Sequence, residues 1–238
     1  MTNYWAIAIG VNRYQFFQPL LYAQWDAQSL YRYWVETAQF SPRRCRLLID
    51  AAPVIDGETA LPTRGGIQQQ LAEICRAIQP EDVLWCFFSG YGMQHEGADY
   101  LMPIDGNPER VTTTGIAVAD LMRQIRQAPT DNILVLLDLK RPPEVPAEVR
   151  LGAPTAVLAE EYGLATILAC RADQSSHETL ALRQGLFTQA LLEGLSEHNA
   201  VTLEQLTQYL GDRLPDLSDR HWRPRQEPVF LIPPDKRY

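Results

Sequence analysis

Apolar runs of strand length alternate with stretches of helical period along this chain. Tyr4 to Val11 (YWAIAIGV) reads as a buried strand. Ala23 to Ala38 follows as a helix, with Leu30 and Trp34 one turn apart. Arg46 to Ile49 (RLLI) is a second strand. Thr63 to Ile78 sets Ile67, Leu71, Ile74 and Ile78 on a single helical stripe, and Thr63 suits its N-cap. Val83 to Ser89 (VLWCFFS) is a third strand, Ile116 to Gln127 a helix, and Asn132 to Asp138 (NILVLLD) a fourth strand. Lys140 to Ala159 carries Pro142, Pro143, Pro146 and Pro154 and reads as a loop. Leu164 to Cys170 (LATILAC) is a fifth strand. Gly185 to Ser196 and Thr202 to Leu214 are helices, and Val229 to Ile232 is a closing strand.

Continuous apolar strands separated by helices predict a parallel sheet covered on both faces. The expected fold is α/β, a three-layer α/β/α sandwich around a mostly parallel sheet of about six strands. No Gly- or Ser-rich linker and no internal repeat divides the chain, so residues 1–238 read as a single domain. Sites in such sheets form beyond the carboxyl ends of the strands. That singles out Ser89-Gly90-Tyr91-Gly92 and Asp138-Leu139-Lys140-Arg141.

Hydrophobic residues make up 46% and charged residues 21%, enough apolar surface for a core. The net charge of -8 argues against nucleic-acid binding, which needs a basic surface to neutralise phosphates. It suits a basic peptide or protein partner, and it equally suits plain solubility. Cys45, Cys75, Cys86 and Cys170 form no CxxC pair and no zinc spacing. Cys86 and Cys170 lie in apolar runs and read as reduced core thiols. Met1 to Gly10 does not read as a signal peptide, and no apolar run reaches the roughly 20 residues that span a bilayer. The expected location is cytoplasmic, with no membrane partner.

Several fragments, in order, resemble the caspase-like cysteine peptidases of the metacaspase and orthocaspase branch. AIGVNRY (Ala8 to Tyr14) is similar to the family's opening strand and turn. LLYAQWDA (Leu20 to Ala27) resembles L-x-G-A-x-N-D-A, with Trp25 in place of Asn. FSGYG (Phe88 to Gly92) resembles F-S-G-H-G, and YLMPID (Tyr100 to Asp105) the following Y-L-x-P-x-D. LLDLK (Leu136 to Lys140) resembles the strand ending in D-C-C or D-S-C. CRADQSSHE (Cys170 to Glu178), GLFTQALL (Gly185 to Leu192) and Gln226 to Pro228 resemble later family segments. The spacing covers nearly the whole chain.

The departures bear on chemistry. A cysteine peptidase needs a thiolate nucleophile and an imidazole that moves protons near neutral pH. The resemblance puts those groups at Tyr91 and Lys140. Ordinary pKa values of about 10 and about 10.4 leave a phenol and an ammonium there at pH 7. The chain therefore reads as a pseudoenzyme with no catalytic dyad. His95, four residues past Tyr91, lies within reach of the cleft in sequence, whereas His177, His198 and His221 match no catalytic position. Cys170 ends a strand and reads as a core thiol, with nucleophile as its alternative. A Ser89 nucleophile with Lys140 as base is the other unconventional route; it requires a deprotonated Lys140, and Asp138 and Asp26 oppose that.

The resemblance further implies an acidic pocket for an Arg or Lys side chain, formed here by Asp26, Ser89 and Asp138. Local roles for both carboxylates stay open beside it. Gly92 would keep a backbone N–H for an oxyanion-type site. Lys140 or Arg141 would be placed to fold back into the pocket. Relatives often need calcium, yet Asp99 and Asp105 make no dense carboxylate cluster, so no metal or other cofactor is expected. Arg220 to Arg225 (RHWRPR) reads as a solvated loop or, with Trp222, as a nucleic-acid contact. Three functions remain: a pseudopeptidase that binds or regulates, a hydrolase with unconventional residues, and a structural module of a larger assembly.

Overall fold

The computed structural model describes residues 2–50, 61–143, 145–146, 149–196, 200 and 202–236. Six strands form the main path of its eight-stranded sheet, in the order β10-β7-β6-β3-β1-β2. These are β1 (Tyr4–Gly10), β2 (Cys45–Ile49), β3 (Val83–His95), β6 (Asn132–Lys140), β7 (Ala165–Leu168) and β10 (Val229–Leu231). Five run parallel, and β10 closes one edge antiparallel to β7. The end of β3 turns back into β4 (Ala98–Leu101), which pairs with the short β5 (Ile116–Ala117). A separate two-stranded ribbon joins β8 (Glu178–Thr179) to β9 (Gln184–Gly185).

Side-chain alternation builds the two faces, because successive strand residues point to opposite sides. Ile133, Val135 and Leu137 of β6 join Phe88 and Cys86 under α2 (Arg64–Ala77), α4 (Val118–Arg126) and α5 (Ala153–Tyr162). Leu134 and Leu136 join Phe87 on the other face, under α1 (Ala23–Arg32), α6 (Leu186–Ser196) and α7 (Leu203–Arg220). A short α3 (Val111–Thr114) precedes β5. Thr63 caps α2 by accepting from Gly66 N at 3.0 Å. The three-layer α/β/α architecture follows from these packings.

Three expectations need correction. The proline-bearing stretch after Asp138 is not all loop: β6 continues through Lys140, and α5 starts at Ala153. Pro154 falls in the first helical turn, where a missing N–H breaks no helical hydrogen bond. α7 does not stop at Leu214 but passes Pro215 and ends at Arg220, its far turns held down by buried Leu217 and Ser218. The first helix leaves α geometry at Tyr33, and a π-turn carries it to Thr37.

Asp99 fixes the start of α5 from a distant strand. Its buried carboxylate accepts from Gly152 N (3.1 Å), Thr155 N (3.0 Å) and Thr155 Oγ1 (2.6 Å). Asp105 accepts from Arg64 N at the start of α2. Both carboxylates thus serve helix termini. Among the described residues no group of three or more His, Cys, Asp or Glu is placed to hold a metal ion. Asp99→Ala is expected to lower stability by about 1–3 kcal/mol, through orphaned buried donors. Urea unfolding checks this, and a change under about 0.5 kcal/mol would show that α5 does not depend on the cap.

No helix among the described residues is long and apolar enough to cross a membrane.

Candidate functional site

The two segments singled out in the sequence meet at the carboxyl end of the sheet. In the β3–β6 register Ser89 lies opposite Asp138, and Tyr91 opposite Lys140. The face that carries Leu134 and Leu136 turns polar two residues on at Asp138, and Lys140 lies two residues further. Phe87 on β3 is followed in the same way by Ser89. α1 supplies the third wall. Its buried stripe is Ala23, Asp26, Ala27 and Leu30, so a carboxylate sits within the apolar face of a helix. Gly10 lets that helix come close: a Cβ there would lie 2.3 Å from Ala23 O. Gly185 closes the top, where a Cβ would lie 2.8 Å from Asp26 Oδ2 and 3.2 Å from Asp138 Oδ2.

The result is a sealed polar chamber. Lys140 Nζ lies 2.7 Å from Asp138 Oδ2, 3.1 Å from Ser89 Oγ and 3.8 Å from Asp26 Oδ2. Ser89 Oγ is 3.0 Å from Asp26 Oδ2 and 3.3 Å from Asp138 Oδ2, so its single proton serves one carboxylate at a time. Gly185 N donates to Asp26 Oδ1 at 2.8 Å. Ser176 Oγ donates to Asp138 Oδ1, and Gln226 Nε2 donates to Ser176 Oγ (3.4 Å) and Ala169 O (2.9 Å). Asp26, Ser89 and Asp138 are fully buried, and Lys140 is only 3% exposed.

The electrostatics keep the lysine charged. Burial pulls its pKa down, but Asp138, Asp26 and Glu178 outweigh that and leave it raised. Burial pushes the Asp26 carboxyl up to about 7 against the pull of Lys140, and Asp138 adds to the rise. An ammonium has no lone pair, so Lys140 donates to Ser89 and cannot take its proton. Adjacent carboxylates would also oppose an alkoxide at Ser89.

The other position that the resemblance singles out holds Tyr91. Tyr91 is buried and packs at 5.0 Å from the ring of Tyr14 and 5.3 Å from that of Phe17. Its backbone N–H donates to the Tyr14 hydroxyl at 2.7 Å. Burial holds that phenol well above its ordinary pKa. Gly92 is buried as well; a Cβ there would meet Leu139 Cβ and Leu151 Cδ2, each at 3.1 Å. Leu151, from the stretch after β6, packs against the Cα side of Gly92.

The other sequence candidates lie elsewhere. Arg141 leaves the chamber to Lys140 and donates to the carbonyls of Pro146, Val149 and Ala172. His95 ends β3, half exposed, 4.0 Å from Glu96. Cys170 Sγ lies 3.8 Å from Gln174 O, and burial, then Asp138, pushes its thiol up to about 12. His221 caps α7, and His198 falls outside the described residues. Sequence reasoning missed Ser176, Gly185, Glu178, Gln226 and Tyr14. Glu178 ties the ribbon to α1 by accepting from Leu21 N (2.8 Å) and Tyr22 N (3.1 Å). His177, beside Ser176, matches no catalytic position, and its backbone N–H donates to Gln226 Oε1. Burial, with Arg223 near, lowers its pKa.

Comparison with known proteins agrees with this architecture. The chain resembles a structural-genomics protein of Geobacter sulfurreducens at TM-score 0.67 and 16% identity, over 99% of this chain and 96% of that one. It resembles the Drosophila initiator caspase Dronc at TM-score 0.64 and 10% identity, over 96% and 79%. It resembles pro-sf-caspase-1 at TM-score 0.62 and 11% identity, over 98% and 88%. At such identities the likeness is one of fold. No curated protein matches in sequence. The family model of the caspase domain matches residues 3–236, and the chain therefore belongs to the caspase domain family.

Proposed function

We propose that this chain is a non-proteolytic caspase-domain protein whose basic-residue pocket is filled by its own Lys140. The observation that carries this is the buried contact of Lys140 Nζ with Asp138 Oδ2 at 2.7 Å, with Asp26 Oδ2 at 3.8 Å. The lysine stands at the nucleophile position and supplies the cation that a substrate side chain would otherwise bring. Peptide hydrolysis needs a nucleophile, a proton carrier and room for the carbonyl. Lys140 and Tyr91 supply neither of the first two. The module then works as a binding or regulatory domain through its outer surface, with a protein as partner. Its free cysteines suit a reducing, cytoplasmic setting.

Fluorogenic peptides ending in Arg or Lys test the reading, each with and without calcium. No turnover is expected, and no saturable binding of an Arg-terminated peptide in calorimetry. Turnover that disappears in Ser89→Ala would overturn it and establish a serine route.

A further inference from the structure

A second feature lies outside the chamber, at the end of α7. His221 is the C-cap, Trp222 N donates to Asp219 O (3.2 Å) and Arg223 N donates to Ser218 O (2.9 Å). These paired bonds close a helix through a left-handed residue, a place where glycine is the rule. Here the residue is Trp222, at φ +54. A tryptophan strains that backbone, and nothing in its packing compensates: Trp222 is 94% exposed.

The loop is held at both ends. The helix closure fixes its start. Gln226 fixes its end: it is fully buried, its N–H donates to Ser218 Oγ, and its side chain reaches Ala169 O. The indole is thus presented to solvent on a clamped backbone, which limits the ordering entropy lost on binding. The charges beside it are uneven. Arg220 is paired with Asp216 and Arg225 with Glu227. Arg223 is exposed, and among the described residues no ion-pair partner meets it.

We propose that Trp222 and Arg223 form a docking point for an acidic segment of a partner protein, the indole covered by an apolar side chain and the guanidinium paired with a carboxylate. Exposed Trp and Arg side by side are the residue types that dominate binding energy at interfaces. A carboxylate partner fits better than nucleic acid. Affinity for a polyanion grows with the number of phosphates neutralised, and this loop offers one guanidinium outside an ion pair, enough for a single carboxylate. The proposal goes beyond the non-proteolytic reading and rests on different residues.

The test uses the whole chain and fluorescence anisotropy of three labelled probes: the peptide Glu-Leu-Asp-Phe-Glu, its charge-reversed form Lys-Leu-Lys-Phe-Lys, and oligothymidylate. The expected result is saturable binding of the acidic peptide alone, weakened about tenfold or more in both Trp222→Gly and Arg223→Ala. Trp222→Gly should also raise Tm by about 2 °C, because glycine relieves the left-handed strain. Failure of the acidic peptide to bind, binding unaffected by either variant, or preference for oligothymidylate would overturn the proposal. A lower Tm in Trp222→Gly would overturn the argument that the indole is held at a cost to the fold. None of these readouts depends on peptidase activity, so failure here leaves the non-proteolytic reading standing.

Discussion

Replacing Lys140 by methionine is expected to destabilise the protein by about 3–5 kcal/mol at pH 8. In a chain of this size that lowers Tm by roughly 10 °C or more. The side chain is nearly isosteric, so the loss is electrostatic. Asp26 and Asp138, both fully buried, would lose their shared cation. The donors left to them are Gly185 N, Ser89 Oγ and Ser176 Oγ. Hydrogen bonds of that kind do not replace an ammonium, since a buried unpaired carboxylate carries a desolvation penalty of several kcal/mol.

The same argument gives the variant a pH signature. Without Lys140 the folded-state Asp26 pKa rises further above the unfolded value of about 3.9. Stability linked to a raised pKa is complete below the unfolded value and is lost as pH climbs through the folded one. Lys140→Met should therefore recover part of its deficit between pH 8 and pH 5. Removing the partner as well, in Asp138→Asn with Lys140→Met, should cost less than the sum of the single changes. Urea melts at both pH values decide the matter. A single variant within 1 kcal/mol of the parent at pH 8 would mean that Lys140 does not neutralise the chamber.

Much of this site is legible in the sequence once strand period is carried to the strand's end. Leu134 and Leu136 face α6 and α7, so Asp138 and Lys140 must follow on that side, with side chains in reach of each other. The Asp138–Lys140 contact is thus a consequence of a two-residue spacing. Ser89 joins because β3 and β6 are parallel neighbours in register. Asp26 is less accessible. Its place came from family resemblance, and the physical cause is a close helix approach at Gly10 that no periodicity reveals. Ser176, Glu178, Gly185 and Gln226 lie on short or irregular segments, where neither a period of two nor of 3.6 operates. The start of α5 reads as loop when prolines are counted without their position. Pro154 in a first turn is compatible with a helix, and the carboxylate that caps it is remote in sequence.

Asp26 supplies the second large effect, a dependence of stability on pH. Its carboxyl is pushed up to about 7 by burial and by Asp138, against the pull of Lys140. The groups that face it are Lys140 and Asp138 from β6, Ser89 from β3 and Gly185 N from β9, with Glu178 on the neighbouring ribbon acting on Lys140. The unfolded value is about 3.9, so the folded protein holds this proton more tightly. Its contribution is fully present below about pH 4 and is lost as pH rises through about 7. Asp26→Asn removes that titration. An amide at the site can still accept from Gly185 N and can donate to Ser89 Oγ, whose proton then serves Asp138. The variant should therefore gain on the parent as pH rises, by about 1–3 kcal/mol between pH 4 and pH 8. His177 and Lys140 titrate in both proteins and largely cancel in the difference. Urea unfolding of the pair at pH 4.5, 6 and 8 measures it. A difference that stays flat, or falls with pH, would show that Asp26 is an ordinary ionised partner of Lys140 and that one carboxylate in the chamber is not in excess. The expected rise would instead identify a chamber built with one more acid than its single lysine can neutralise.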